Sequence, residues 1–158
     1  MIKVMFVCHG NICRSPMAEF LFKDMVLKCG LQDEFYICSK ATSSEEIGNG
    51  VHYETKKILN SLGIDCSCKK AIRMSKSDYK EYDYIIVMDR YNYNNVIKIV
   101  GNDIYNKIYF LLSFAGVSKD IKDPWYTGNF KETYDDINLG LKAFFKYLIG
   151  KYHFNVNV

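Results

Sequence analysis

The chain has 158 residues, 49% hydrophobic and 25% charged, which is enough apolar material for one full core without a disulfide or metal staple. Its 21 basic and 18 acidic residues leave a formal charge of +3, with the basic residues scattered, which argues against nucleic-acid binding by bulk charge. No apolar run approaches the roughly 20 residues of a bilayer span, and the start at Met1-Ile2-Lys3 has no signal-peptide pattern, so a cytoplasmic protein is expected.

Lys3 to Val7 is a short run of Val, Met and Phe that stops at a polar Cys-His-Gly-Asn cluster, and it reads as a buried strand followed by a loop. Ser15-Pro16 then offers a helix N-cap and a proline at the first helical position. Ala18, Leu21, Phe22, Met25 and Val26 recur at helical spacing until Gly30. Phe35 to Cys38 reads as a second strand, and Ala41 to Gly50 as a polar loop. Val51, Ile58, Leu59 and Leu62 mark a helix closed by Gly63. Tyr84 to Met88 is a third strand ending at Asp89, and a helix carrying Val96, Ile97 and Val100 follows it. Ile108 to Leu112 is a fourth strand. After a long loop, Lys131 to Tyr152 places Ile137, Leu141, Phe144, Phe145 and Leu148 on one helical face.

Strands alternating with helices imply crossovers and a parallel sheet covered on both faces. The expected class is therefore α/β: a single doubly wound domain over residues 1–158, with a four-stranded parallel sheet flanked by helices. In such sheets the ligand sits beyond the carboxyl ends of the strands. Here that address is the loop after the first strand, Cys8 to Ser15.

That loop reads Cys8-His9-Gly10-Asn11-Ile12-Cys13-Arg14-Ser15-Pro16. A strand delivers a thiol to the base of a loop that opens into a helix N-terminus, where backbone N–H groups and the helix dipole favour an anion. Gly10 and Asn11 are residue types that tolerate positive φ, as a tight cradle requires. Arg14 supplies a planar fork matched to two phosphate oxygens, and Ser15 can donate to the Cys8 sulfur. The field that binds a dianion also stabilises a thiolate. The product is an anion-binding cup with a nucleophile at its centre. Seven positions fit at once, and at about 5% per residue type chance agreement anywhere in the chain is roughly one in ten million.

The six cysteines (8, 13, 29, 38, 66 and 68) read as free thiols rather than a disulfide framework, and no Cys-x-x-Cys pair occurs. His9, His52 and His153 share no ligand spacing, so neither a metal nor a cofactor is expected.

The Cys8–Pro16 run resembles the signature of the low-molecular-weight protein tyrosine phosphatases, Cys-x-Gly-Asn-x-Cys-Arg-Ser-Pro. The similarity extends to Ser39-Lys40-Ala41-Thr42-Ser43, Val87-Met88-Asp89 and Asp123-Pro124-Trp125-Tyr126. It implies that Cys8 is a nucleophile forming a phosphocysteine. It also implies that Arg14 and the loop residues His9, Gly10, Asn11, Ile12, Cys13 and Ser15 hold the phosphoryl group, and that Asp123 is the general acid. Trp125 and Tyr126 resemble the walls of a slot that admits a phenyl ring and excludes phosphoserine. His9 is expected to contribute only its backbone amide. The partners implied are phosphotyrosine-containing proteins, with inorganic phosphate as product, and the protein is expected to act as a monomer.

Relatives commonly carry Asp where Cys38 stands and His near Lys69, a pair that supports the loop from behind; both are replaced here. Glu45 reads either as a selector for basic peptide flanks or as a solvated loop charge. Asp89 reads either as a pocket support or as a helix N-cap. Two enzymes of related design remain as alternatives. An arsenate reductase needs cysteines farther downstream than Cys66 and Cys68, and an arginine phosphatase typically has Thr where Ile12 stands. A non-catalytic phosphotyrosine-binding module would need neither the nucleophile nor the acid.

Overall fold

In the computed structural model, which describes residues 1–158, strand β1 spans Ile2–Cys8 and helix α1 Arg14–Lys28. Strand β2 (Phe35–Ala41) and helix α2 (Tyr53–Ser61) follow, then a single helical turn, α3 (Asp78–Glu81). Strand β3 (Tyr84–Val87), helix α4 (Arg90–Val100) and strand β4 (Ile108–Phe110) complete the sheet. A short helix α5 (Pro124–Thr127) precedes the long C-terminal helix α6 (Phe130–Tyr152). No helix is long and apolar enough to cross a membrane.

The four strands are parallel in the order β2-β1-β3-β4, with Cys8 beside Ala41 and Val7 beside Val87. The chain leaves β1 to build β2 on one side, then passes back to build β3 on the other. The carboxyl end of β1 is thus the switch point, where connections diverge and a crevice opens. This is the doubly wound α/β arrangement read from the sequence, and it puts Cys8 at that crevice.

Alternation along the strands divides the core in two, because successive side chains point to opposite faces. Val4, Phe6, Cys8, Tyr84 and Ile86 join a cluster of 24 buried residues with one face of α1 and of α6. Met5, Val7, Ile85 and Val87 join a second cluster of 10 with Val96 and Val100 of α4. The larger cluster is aromatic at its centre: the Phe22 ring lies 5.3 Å from Phe144 and 5.7 Å from Phe6. Truncating one such fully buried ring to Ala costs about 3–5 kcal/mol. The cup therefore stands on a strand anchored from both sides.

Two local expectations need correction. α1 begins at Arg14, so Ser15 and Pro16 lie inside its first turn and Cys13 holds the N-cap position without a side-chain cap. The Ser15 hydroxyl is committed to the loop instead, as described below. β4 ends at Phe110, and Leu111–Ala115 tightens into a 3₁₀ helix. There α6 comes so close that a Cβ on Gly140 would lie 2.6 Å from Leu111 Cγ, leaving room only for glycine. The short helices α3 and α5 carry too few residues to show a period.

Candidate active site

A cavity of about 120 Å³ opens at the carboxyl end of β1. Cys8, His9, Gly10, Ile12, Cys13 and Arg14 line it from the loop, Glu45 and Glu46 from the segment after β2, and Asp123, Trp125 and Tyr126 from the entry to α5. Asn11 and Ser15 do not line it. They are 1% and 0% exposed and sit behind the loop.

Their position explains how the loop is held. Asn11 adopts φ +60°, the left-handed conformation that asparagine tolerates better than most residues, and its N–H points at Cys8 Sγ from 3.3 Å. Its side-chain amide donates to Ser15 Oγ at 2.8 Å and to Ser39 Oγ at 2.9 Å, and its Oδ1 accepts the Ile72 N–H at 3.1 Å. Because Ser15 Oγ accepts from Asn11, its own proton is left to point at Cys8 Sγ, 3.0 Å away. The sulfur thus faces two donors, an arrangement suited to a thiolate. Gly10, by contrast, does not have positive φ. A Cβ there would meet Glu46 Cγ at 3.3 Å, a tight contact that a small shift of the Glu46 side chain relieves.

Behind Asn11 the chain ends on a buried charge. Ser39 Oγ donates to Glu19 Oε1 at 2.6 Å, and Glu19, 4% exposed, also takes Lys23 Nζ at 2.6 Å. Lys69 Nζ donates to the Ser39 carbonyl at 2.8 Å and lies 3.7 Å from Glu19. Burial pulls the Lys69 ammonium below its ordinary range, partly offset by Glu19. Cys38, next to Ser39, bonds the Tyr82 hydroxyl at 3.2 Å, and burial pushes its thiol up to about 11. The Lys69–Glu19 pair thus braces the loop although Cys38 is turned to Tyr82. The sequence reading gave Glu19 no role in the site. Its position on the helical face shared by Phe22 and Val26 was the available signal, since a carboxylate there must find partners.

Arg14 is 2% exposed. Its Nη1 donates to Asp89 Oδ2 at 2.6 Å and to the Ile121 carbonyl at 2.8 Å, and its Nη2 lies 3.4 Å from Asp123 Oδ2. Burial works against its charge, but Cys8, Asp89 and Asp123 together hold the guanidinium above its usual range. Three of five donors are taken, leaving Nε–H and one Nη2–H, which share an edge of the guanidinium and form a fork for two oxygens. Asp89 fulfils both readings: it orients Arg14, and it caps α4 by accepting the Asn92 N–H at 2.7 Å while its own N–H donates to Asn92 Oδ1 at 3.2 Å.

Asp123 also does two things. Its Oδ1 accepts the Trp125 N–H at 3.0 Å, capping α5, while Oδ2 faces Arg14 at the cup. Trp125 and Tyr126 stand up from that turn, 60% and 84% exposed. His52, absent from the sequence reading of the site, supports Trp125 edge-on at 5.9 Å and stacks on Phe130 at 4.9 Å. Contrary to expectation, His9 uses its side chain: Nε2 meets Glu45 Oε2 at 3.0 Å across the mouth. Glu45 is thereby neither wholly solvated nor free. Burial and the neighbouring Cys8 charge push the Cys13 thiol far above its ordinary range.

Comparison with known proteins places the chain in one family. A family profile described as low molecular weight phosphotyrosine protein phosphatase matches residues 3–153. The low molecular weight protein-tyrosine-phosphatase YfkJ of Bacillus subtilis is 40% identical over 142 residues, 89% of this chain and 91% of that protein. Its crystal structure superposes with a TM-score of 0.90, covering 96% of both chains at 38% identity. A low molecular weight phosphotyrosine protein phosphatase of Schizosaccharomyces pombe is 40% identical over 131 residues, 81% of this chain and 83% of its own. The Drosophila arginine phosphatase structure superposes with a TM-score of 0.84 at 30% identity, covering 93% of this chain and 98% of its own. The chain belongs to the low molecular weight phosphotyrosine protein phosphatases, a family of hydrolase enzymes.

Proposed function

We propose that the protein hydrolyses phosphotyrosine and other aryl phosphates through a phosphocysteine intermediate on Cys8. The observation that carries this reading is the Cys8 sulfur at the floor of the cup, facing the Asn11 N–H and the Ser15 hydroxyl beside the open fork of Arg14. In the first step Cys8 Sγ bonds to phosphorus as the bond to the phenolic oxygen breaks, and Asp123 gives that oxygen a proton. Arg14 and the loop N–H groups take the charge spread over the equatorial oxygens. In the second step water attacks phosphorus, Asp123 takes back a proton, and inorganic phosphate leaves as the thiolate is restored. His9, Gly10, Ile12, Cys13 and Glu45 border the phosphoryl group and ring, and Trp125 and Tyr126 wall the slot.

Phosphotyrosine is preferred over phosphoarginine because Ile12 lines the cup with an apolar side chain where arginine phosphatases typically place a threonine. All six cysteines are free, which suits the reducing cytoplasm, and the 158 residues act as one monomeric domain. The test is a substrate panel of nitrophenyl phosphate, phosphotyrosine, phosphoserine and phosphoarginine, with vanadate as competitor and Cys8→Ser as control. Aryl phosphate turnover that vanadate blocks, that chelators leave unchanged and that Cys8→Ser abolishes is expected. Turnover surviving in Cys8→Ser, or phosphoarginine hydrolysed faster than phosphotyrosine, contradicts the proposal.

A further inference from the structure

Beside the cup lies a second groove that the chemistry above does not use. It has a volume of about 680 Å³ and runs between the start of α4 and the segment entering α5. His9, Arg14, Asp123 and Tyr126 line both spaces, so the groove begins where the cup ends and shares one wall with it. A peptide whose phosphotyrosine fills the cup must carry its neighbouring residues across that wall.

The groove has a definite chemistry. Tyr91 and Tyr126 stand at it with 78% and 84% of their surface exposed, and neither ring stacks on another aromatic. Rings left this bare beside a binding site are common at surfaces that meet a partner. Asp120 also lines the groove; it is exposed, makes no ion pair, and accepts one hydrogen bond, from the Arg90 N–H at 3.2 Å. Arg90 lines a neighbouring pocket with Asp120 and makes no ion pair either, whereas the charges that line the groove itself are matched. Asp89 and Asp123 face Arg14, Lys122 lies 3.6 Å from Glu132, and His9 is held by Glu45. A carboxylate with no ion pair and two bare phenol rings on one groove are the complement of a guanidinium, which takes a carboxylate along its edge and an aromatic ring on its plane. The phosphate dianion in the cup next door adds to the negative potential.

We propose that this groove receives the peptide flank of the phosphotyrosine substrate and selects an arginine there, held by Asp120 and stacked against Tyr91 and Tyr126. The proposal rests on the phosphatase reading above and extends it to the residues around the phosphotyrosine. The experiment compares nitrophenyl phosphate with phosphotyrosyl peptides that differ only in carrying Arg, Ala or Glu one or two positions to either side. For the wild type, kcat/KM for the best-placed Arg peptide is expected to exceed that of the Ala peptide by about threefold to tenfold, and the Glu peptide to fall below both. Asp120→Asn keeps the acceptor for the Arg90 N–H, so it should bring the Arg-to-Ala ratio near one while nitrophenyl phosphate turnover stays within about twofold. Tyr91→Ala should lower the ratio part of the way. Equal rates for Arg and Ala peptides at every position, or a ratio that survives Asp120→Asn, overturn the groove assignment and leave the phosphatase reading standing. A wild-type protein that does not turn over nitrophenyl phosphate overturns both.

Discussion

The floor of the cup and its rim are built on opposite principles. On the floor, Asn11, Arg14, Ser15, Glu19 and Ser39 are each at most 4% exposed, and a chain of bonds of 3.0 Å or less runs from Glu19 through Ser39, Asn11 and Ser15 to the Cys8 sulfur. On the rim, Trp125, Tyr126 and Glu45 are largely exposed and make one or two polar contacts each. Charge develops on the phosphoryl group during reaction, and donors already aimed at it need no reorganisation. Peptide flanks vary, and a rim of exposed side chains can meet them without disturbing the floor. The comparison predicts large effects on chemistry from the floor and from Asp123, and small ones from the rim.

Asp123 belongs to both regions, and its substitution should have the largest effect among the variants that keep Cys8. Asp123→Asn keeps an oxygen to accept the Trp125 N–H, so α5 should stay capped while the proposed proton donor is lost. Loss of a general acid costs about a hundredfold to ten-thousandfold in rate. The loss should be greatest for phenyl phosphate and smaller for nitrophenyl phosphate, whose leaving group needs less protonation. Equal losses on the two substrates would place the acid elsewhere.

Asn11→Ala attacks the floor alone. The left-handed conformation disfavours Ala by about 1 kcal/mol, and three hydrogen bonds at roughly 1 kcal/mol each are removed, so unfolding stability should fall by about 2–4 kcal/mol. The Ser15 hydroxyl is then free to turn from the sulfur, and kcat should fall by about tenfold or more with little change in KM. Denaturant melts and steady-state kinetics read the two effects separately.

Much of this was legible in the sequence because the cup is contiguous. Cys8 through Pro16 presents the thiol, the left-handed residue and the arginine in one stretch, and the strand before it is marked by its apolar run. Fold class followed from strands alternating with helices. What escaped is long-range polar support: Glu19 reaches Ser39 across 20 residues, and Lys69 reaches the same serine across 30. No local period announces such bonds. The cap misassigned to Ser15 has the same origin, since a serine before a proline looks like a cap until its hydroxyl is claimed from elsewhere. Gly10 does not have the positive φ that its residue type suggests, and its tight neighbour, the Glu46 side chain, is one that only the fold brings near.

Oxidation probes the floor in another way. Cys8 and Cys13 line the same cavity, and a sulfenic acid on Cys8 can be captured by the Cys13 thiolate: the S–S bond forms as the S–O bond breaks, and the leaving hydroxide takes a proton from solvent to become water. Burial, which persists once Cys8 is an uncharged sulfenic acid, holds the Cys13 thiol up, so little thiolate is present at neutral pH. The capture rate should therefore rise as pH rises, by about tenfold per unit while Cys13 remains mostly protonated. After peroxide and then dithiothreitol, wild type should regain severalfold more activity than Cys13→Ser. Equal recovery, or a linked peptide joining Cys8 to another cysteine, would remove Cys13 from that role.

The smallest effect is expected at the rim. Glu45 meets His9 across the mouth at 3.0 Å, with side chains 70% and 45% exposed. Pairs this open contribute about 0–1 kcal/mol, because both groups give up little hydration and salt screens them. Glu45→Gln keeps an oxygen for the imidazole and removes only the charge. On nitrophenyl phosphate, which does not extend past the mouth, kcat/KM should change by less than about twofold, and the difference should shrink as ionic strength rises. A change of tenfold or more on that small substrate would mean that Glu45 acts through His9 on the loop that holds the phosphoryl group. The separation between a fixed floor and an adaptable rim would then fail at this residue.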